Sequence, residues 1–280
     1  STPGEGSRFW FEIDCEPSSA PDAAALPAPR TGGPLRILLV EDVEINQQVA
    51  CGLLESEGHR VCVASDGETA LRLHDANDYD VVLMDLHLPD MDGLTTTRHM
   101  RAHAATTKAG VRIIALTAAL AAADVDACCR EGVDAVLAKP LDFGALQALL
   151  AGGQAPMRPA HLPGAPSRPA PHLDAGLVRQ HRAMLGDERF TALVDTLRSQ
   201  CDTLLNQLEA EPVLPAQGKI LHKLVGACSN FGLARAAHAL REAEDDARHG
   251  DVRQRLTSLR PLLHDSLDEL ARPPAIAPPV

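Results

Sequence analysis

Residues 81 to 93 read VVLMDLHLPDMDG. Four apolar residues in succession do not alternate with polar ones, so a strand formed here has both faces covered, as in a parallel sheet packed between layers of helices. The strand-like run, DVVLMD (80–85), ends on Asp85. A carboxylate in that place is ordinarily a helix cap or a solvated loop residue.

Four other runs share this character: RILLVE (36–41), RVCVA (60–64), VRIIALT (111–117) and DAVLA (134–138). The segments between them carry helical spacing, as in Ile45, Val49 and Leu53. Five strands alternating with helices specify an α/β doubly wound, five-stranded parallel sheet. From about residue 173 to 271 the apolar spacing is helical throughout, with Leu193, Leu197, Leu204, Leu205 and Leu208 early and Leu256, Leu259, Leu262, Leu263, Leu267 and Leu270 late. That pattern predicts an all-α antiparallel helical bundle. Residues 15–34 and 152–172 are dense in Pro, Ala and Gly and lack apolar periodicity, so they read as linkers. The chain therefore divides into a leader (1–14), a linker, an α/β domain (35–151), a second linker, a bundle (173–271) and a tail (272–280).

The 280 residues carry a formal net charge of -12, which argues against a nucleic-acid partner, because phosphate backbones attract basic faces. A divalent cation is the expected charged partner. The seven cysteines are scattered, with only Cys128 and Cys129 adjacent, and read as buried thiols in a reducing compartment. No apolar run is long enough to span a bilayer, and no basic-then-apolar leader opens the chain. A cytoplasmic segment without membrane contact is expected, and the first residue, Ser1, suggests a piece of a longer parent.

Ligands of an open parallel sheet bind beyond the carboxyl ends of its strands. There the sequence places Glu41 and Asp42 after the first run, Asp85 at the end of the third, Thr117 at the end of the fourth and Lys139 past the fifth. Three converging carboxylates repel one another unless a cation sits among them, and an oxygen-only cluster suits Mg2+. A hydroxyl and an ammonium on neighbouring strands are then placed to hold phosphoryl oxygens. The implied chemistry is phosphoryl transfer with Asp85 as the nucleophile.

The segments ILLVED (37–42), VVLMDLHLPDMDG (81–93), ALTA (115–118) and AKP (138–140), four separated motifs in order, resemble response-regulator receiver domains. The resemblance implies the flavodoxin-like strand order 2-1-3-4-5, with Asp85 accepting the phosphoryl group. Asp42 would bind magnesium directly, Glu41 through water, and the backbone carbonyl of His87 would complete the metal site. Thr117 and Lys139 would contact the phosphoryl oxygens, and the Lys139–Pro140 bond is expected to be cis. Receivers usually carry Tyr or Phe three residues before the lysine. Here that residue is Val136, which puts an aromatic output switch in doubt.

The second motif is LHKLVGACSNFG (221–232). On a helical wheel Leu221, Leu224, Cys228 and Phe231 form the stripe that faces the bundle, and His222 falls about 140° from its centre, toward solvent. Gly226 shares the face of His222, although an interior glycine costs a helix roughly 1 kcal/mol. An open landing over the imidazole, for a second domain bringing a carboxylate to the ring, accounts for it.

The segment resembles a histidine phosphotransfer domain, matching at His222, Gly226, Phe231 and Gly232. Val225 stands where that family carries a lysine. Lys219 or Lys223 is expected to supply the charge, with Lys219 the better placed. PGEGSRFWFEIDCEP (3–17) resembles the end of a sensor-kinase ATP-binding domain, which implies a hybrid histidine kinase as the parent, an ATP-dependent enzyme whose catalytic core lies elsewhere.

Together these resemblances imply a phosphorelay. An upstream histidine kinase core donates to Asp85, His222 receives the group from Asp85, and a downstream response-regulator receiver takes it from His222. Two other classes stay open at this point: a regulatory or binding module whose bundle does not relay, and a phosphohydrolase using Asp85 covalently. The second lacks the acid such hydrolases keep two residues after the nucleophile.

Overall fold

The computed structural model describes residues 33–89, 91–103, 110–117, 122–152, 172–247 and 253–272. The leader, most of both linkers, most of the tail, Ala118 and His249 lie outside these residues. So does the likeness of residues 3–17 to an ATP-binding domain.

Five strands form one parallel sheet in the order β2-β1-β3-β4-β5: β1 (Arg36–Val40), β2 (Arg60–Ala64), β3 (Val81–Asp85), β4 (Arg112–Thr117) and β5 (Ala135–Ala138). The helices between and after them are α1 (Glu44–Ser56), α2 (Gly67–Ala76), α3 (Gly93–His103), α4 (Ala122–Arg130) and α5 (Phe143–Leu150). Every residue of β3 is buried, which is why its apolar run is unbroken. The order changes direction beside β1 and β3, so the loops after these two central strands open into one crevice.

Gly93 opens α3 hard against the backbone at the end of β3. A Cβ there would lie 2.1 Å from the Asp85 carbonyl oxygen, so only glycine lets α3 start against the end of β3. The Lys139–Pro140 bond is cis.

The bundle comprises α6 (Ala175–Leu185), α7 (Asp187–Ala210), α8 (Leu214–Asn230), α9 (Ala234–Asp246) and α10 (Arg253–Ala271). Leu221, Leu224, Cys228 and Phe231 of α8 are all buried, as the wheel requires. Phe231 meets Phe190 of α7 at a centroid distance of 6.3 Å. The helix α1 packs on α6, α7 and α8, and the apolar layer over the α1/α5 side of the sheet runs on into the bundle as one core. The two domains are thus seated on each other. No described helix is long and apolar enough to cross a membrane.

The cysteines are less uniformly buried than their composition suggested. Cys128, Cys201 and Cys228 are buried, Cys51 and Cys62 half-buried, and Cys129 exposed. Cys129 directly follows buried Cys128 on α4, about 100° further round the helix, and its turn carries it to the solvent side. Burial pushes the Cys51 thiol up to about 11, which keeps it protonated.

His181 of α6 is 3% exposed and lines a cavity between the domains with Asn46, Asn230 and Leu53. Burial lowers its pKa from 6.5 to about 4, against a weaker upward pull from Asp174. The unfolded chain binds this proton at the higher pH, so the contribution is complete above pH 6.5 and is lost as pH falls toward 4. Urea unfolding followed by circular dichroism should show a loss of roughly 3 kcal/mol across that window, which His181→Gln removes.

Candidate functional site

The ends of β1 and β3 bring three carboxylates together. Glu41, Asp42 and Asp85 each offer an oxygen, all within 4.8 Å of one another. At that separation each pair of full charges repels by about 3 kcal/mol at an effective dielectric of about 20, so compensating charge is required.

Lys139, past β5, supplies part of it. Its Nζ donates to Glu41 Oε2 and to Asp85 Oδ2, both at 2.7 Å. Burial works against the ammonium, but Glu41 and Asp85 outweigh it and hold the Lys139 pKa above its ordinary value. Burial pushes the Glu41 carboxyl up while Lys139 pulls it down. Glu41 is fixed in place by Asn46 Nδ2, which donates to its Oε1 at 2.9 Å, and by the Val43 backbone N–H at 3.3 Å.

Asp85 Oδ1 accepts from the His87 backbone N–H at 3.0 Å. Thr117, buried at the end of β4, completes the rim on the strand adjoining β3. Four of the sequence-derived residues, Glu41, Asp42, Asp85 and Lys139, therefore line one place, with Thr117 beside them. The oxygen-only set of three acids fits a hard cation such as magnesium. The hydrogen bond to Asp85 uses the backbone N–H of His87, and its side chain has a separate contact described below.

The bundle covers this crevice. His222 lies in the same cavity lining as Asp42, Asp85 and Lys139. Its ring packs on that of His87 with centroids 4.4 Å apart and planes tilted by 42°. Burial, and then the neighbouring His222 ring, hold the His87 imidazole below its ordinary pKa. The wheel placed His222 toward solvent. It does leave the bundle core, but it is half-buried because the other domain lies over it, a partner that a single helix's periodicity does not contain.

The charge at the missing lysine is also placed differently from the expectation. Val225 is 2% exposed and lines the cavity without charge. Lys219 is exposed, whereas Lys223 Nζ reaches Asp42 Oδ2 at 2.8 Å across the interface. A wheel angle describes where a Cβ points. It does not describe where a four-carbon side chain can carry its ammonium once an acid is near. Val136 packs with Ala115, Cys128 and Val133 in a small apolar cluster behind β4 and β5.

Two contributors were not picked out from the sequence. Glu244 of α9 places Oε1 2.9 Å from His222 Nδ1. A carboxylate accepts, so Nδ1 carries the hydrogen, and in the neutral ring Nε2 then holds the lone pair. Nothing in REAEDD (241–246) separates Glu244 from its acidic neighbours until α9 is laid against α8. The second is Asn46, whose Nδ2 holds Glu41 and would lie 3.4 Å from a Cβ at Gly226. The landing opened by Gly226 is occupied by α1.

Residues 37–151 match the response regulator receiver domain family, and residues 190–273 match the Hpt domain family. The chain is a receiver domain followed by a histidine phosphotransfer domain. It is homologous to hybrid sensor histidine kinases. The sensor histidine kinase AruS of Pseudomonas aeruginosa is 35% identical over 251 residues, a match covering 87% of this chain and 24% of that protein. The aerobic respiration control sensor protein ArcB of Escherichia coli is 32% identical, covering 83% of this chain and 31% of that protein. The receiver and Hpt domains thus span less than a third of these relatives' length. Among solved structures, the receiver domain of sensor histidine kinase PA1611 from Pseudomonas aeruginosa, crystallised with magnesium in its active-site cleft, is 41% identical. That match covers 42% of this chain and 95% of that one, with a TM-score of 0.39.

The Glu244 contact makes a spectroscopic prediction for the Hpt domain. In the neutral His222 ring, long-range 15N–1H correlation spectra should show the Nδ1–H form predominating. Glu244→Ala should return the ring toward the mixture of tautomers of a free imidazole.

Proposed function

We propose that the chain is a phosphorelay segment in which Asp85 receives a phosphoryl group from a kinase histidine and passes it to His222, which delivers it to a separate receiver. The observation that carries this reading is the seating of the His222 ring in the cavity that Asp42, Asp85 and Lys139 line. Holding donor and acceptor in one enclosed place turns a bimolecular encounter into an intramolecular step. In this reading residues 35–151 form the donor domain and 173–271 the acceptor.

Each side chain has a task. The Nε2 lone pair of His222 attacks phosphorus, the bond between phosphorus and the Asp85 oxygen breaks, and the carboxylate so released returns to its ion pair with Lys139. Glu244 accepts the hydrogen bond from Nδ1–H and stabilises the positive charge the ring gains. Thr117 and Lys139 hold phosphoryl oxygens. Glu41, Asp42 and Asp85, with the His87 carbonyl, would hold magnesium, which when bound neutralises charge on those oxygens. Lys223 brings to Asp42 the positive charge that Val225 lacks. Val136 removes the usual aromatic reporter, and a relay intermediate needs no large conformational output.

The donor of the arriving group would be the kinase core of a hybrid parent, and its final acceptor a response-regulator receiver. With a radiolabelled upstream phosphodonor, acid-labile, base-stable label should appear on His222. Asp85→Asn should reduce it at least about a hundredfold, because the covalent intermediate is gone. Label on His222 at an unchanged rate in Asp85→Asn would reject this order of transfer.

A further inference from the structure

Two interior helix glycines face each other's domain across the interface. Gly226 of α8 looks at Asn46. Gly52 of α1 looks at the bundle alone: a Cβ there would meet Leu185 Cδ2 at 2.7 Å, Arg189 Nη2 at 3.3 Å and Arg189 Cζ at 3.4 Å. Gly52 has no positive φ to justify it. Its cost to α1 is therefore offset by the approach of Leu185, the last residue of α6.

One turn on, Glu55 Oε2 pairs with Arg189 Nη2 at 3.6 Å. Leu185 and Arg189 both precede residue 190, where the match to the Hpt family begins. This ledge therefore lies outside the matched segment that carries the phosphoryl-accepting histidine. None of Gly52, Glu55, Leu185 and Arg189 lines the cavity that holds Asp42, Asp85, Lys139 and His222.

We propose that Leu185 and Arg189 form a recognition ledge that selects receiver domains by the first helix. The ledge fits a helix presenting glycine where Gly52 stands and an acid three residues later, where Glu55 stands. The proposal rests on the relay reading and adds partner choice to it. The chain's own receiver satisfies both requirements and occupies the face that carries His222. A separate receiver taking the group from His222 must displace it, and therefore presents the same pair on its own first helix. A bulky residue at the first position collides with Leu185, and a basic residue at the second meets Arg189; both reject wrong partners by repulsion.

The test uses the intact chain with two readouts: amide exchange protection of α1, and the rate at which label moves from Asp85, loaded with acetyl phosphate, to His222. Gly52→Leu should expose α1 to exchange and slow transfer about tenfold, and Arg189→Glu should slow it about threefold. Loading of Asp85 should be unchanged in both. The doubly reversed chain, Glu55→Arg with Arg189→Glu, should regain most of the rate lost in Arg189→Glu. Unchanged protection and rate in Gly52→Leu, or no recovery in the reversed pair, would overturn the ledge. Protection of α1 that is lost in Gly52→Leu, in a chain that never labels His222, would support the ledge and reject the relay.

Discussion

Three carboxylates within 4.8 Å of one another cannot persist without positive charge, and the way this chain supplies that charge organises the rest of the molecule. One cation comes from the same sheet: Lys139 lies past β5 and bridges Glu41 and Asp85. The other comes from a different domain, where Lys223 meets Asp42. The strand order brings the first pair together, and the docking of the bundle brings the second. The two pairs made by Lys139 are sheltered from solvent on both sides, whereas Lys223 is 34% exposed and its pair with Asp42 is screened more strongly.

The docked arrangement follows from shape as much as from charge. The helix α1 faces the sheet on one side and the bundle on the other, and a single apolar core runs through both. Bulk is removed at Gly52 and at Gly226, where the helices come nearest the opposite domain. At Gly52 the helix penalty is offset by the close approach of Leu185, whereas a Cβ at Gly226 would meet Asn46 Nδ2 at an ordinary contact distance of 3.4 Å. The result places His222 over the crevice, with His87 beneath its ring and Glu244 behind it.

Much of this was legible in the residues. The five strand runs matched the observed strands to within one residue at each end, because buried parallel strands write themselves as unbroken apolar segments. Glu41, Asp42, Asp85 and Lys139 were legible because each sits where a strand ends, and topology makes those ends converge. Gly226 was legible as a landing, since a glycine on an outward face has no reason within its own helix. The choice of Lys223 over Lys219, the cover over His222 and the partner Glu244 were not. Each depends on how one domain sits on the other or how α9 lies on α8, and neither leaves a periodic trace. Leu185 and Arg189 read as an ordinary helix end and an ordinary surface cation until Gly52 is seen beneath them.

The central claim is that His222 stands at the carboxylate cluster of its own chain. Manganese bound in place of magnesium tests it most directly, through paramagnetic broadening of the His222 imidazole resonances in the intact protein. The account predicts that these resonances broaden along with those of the strand ends β1 and β3, and that Asp42→Asn abolishes both effects. Strand-end resonances that broaden while the His222 ring stays sharp would contradict it.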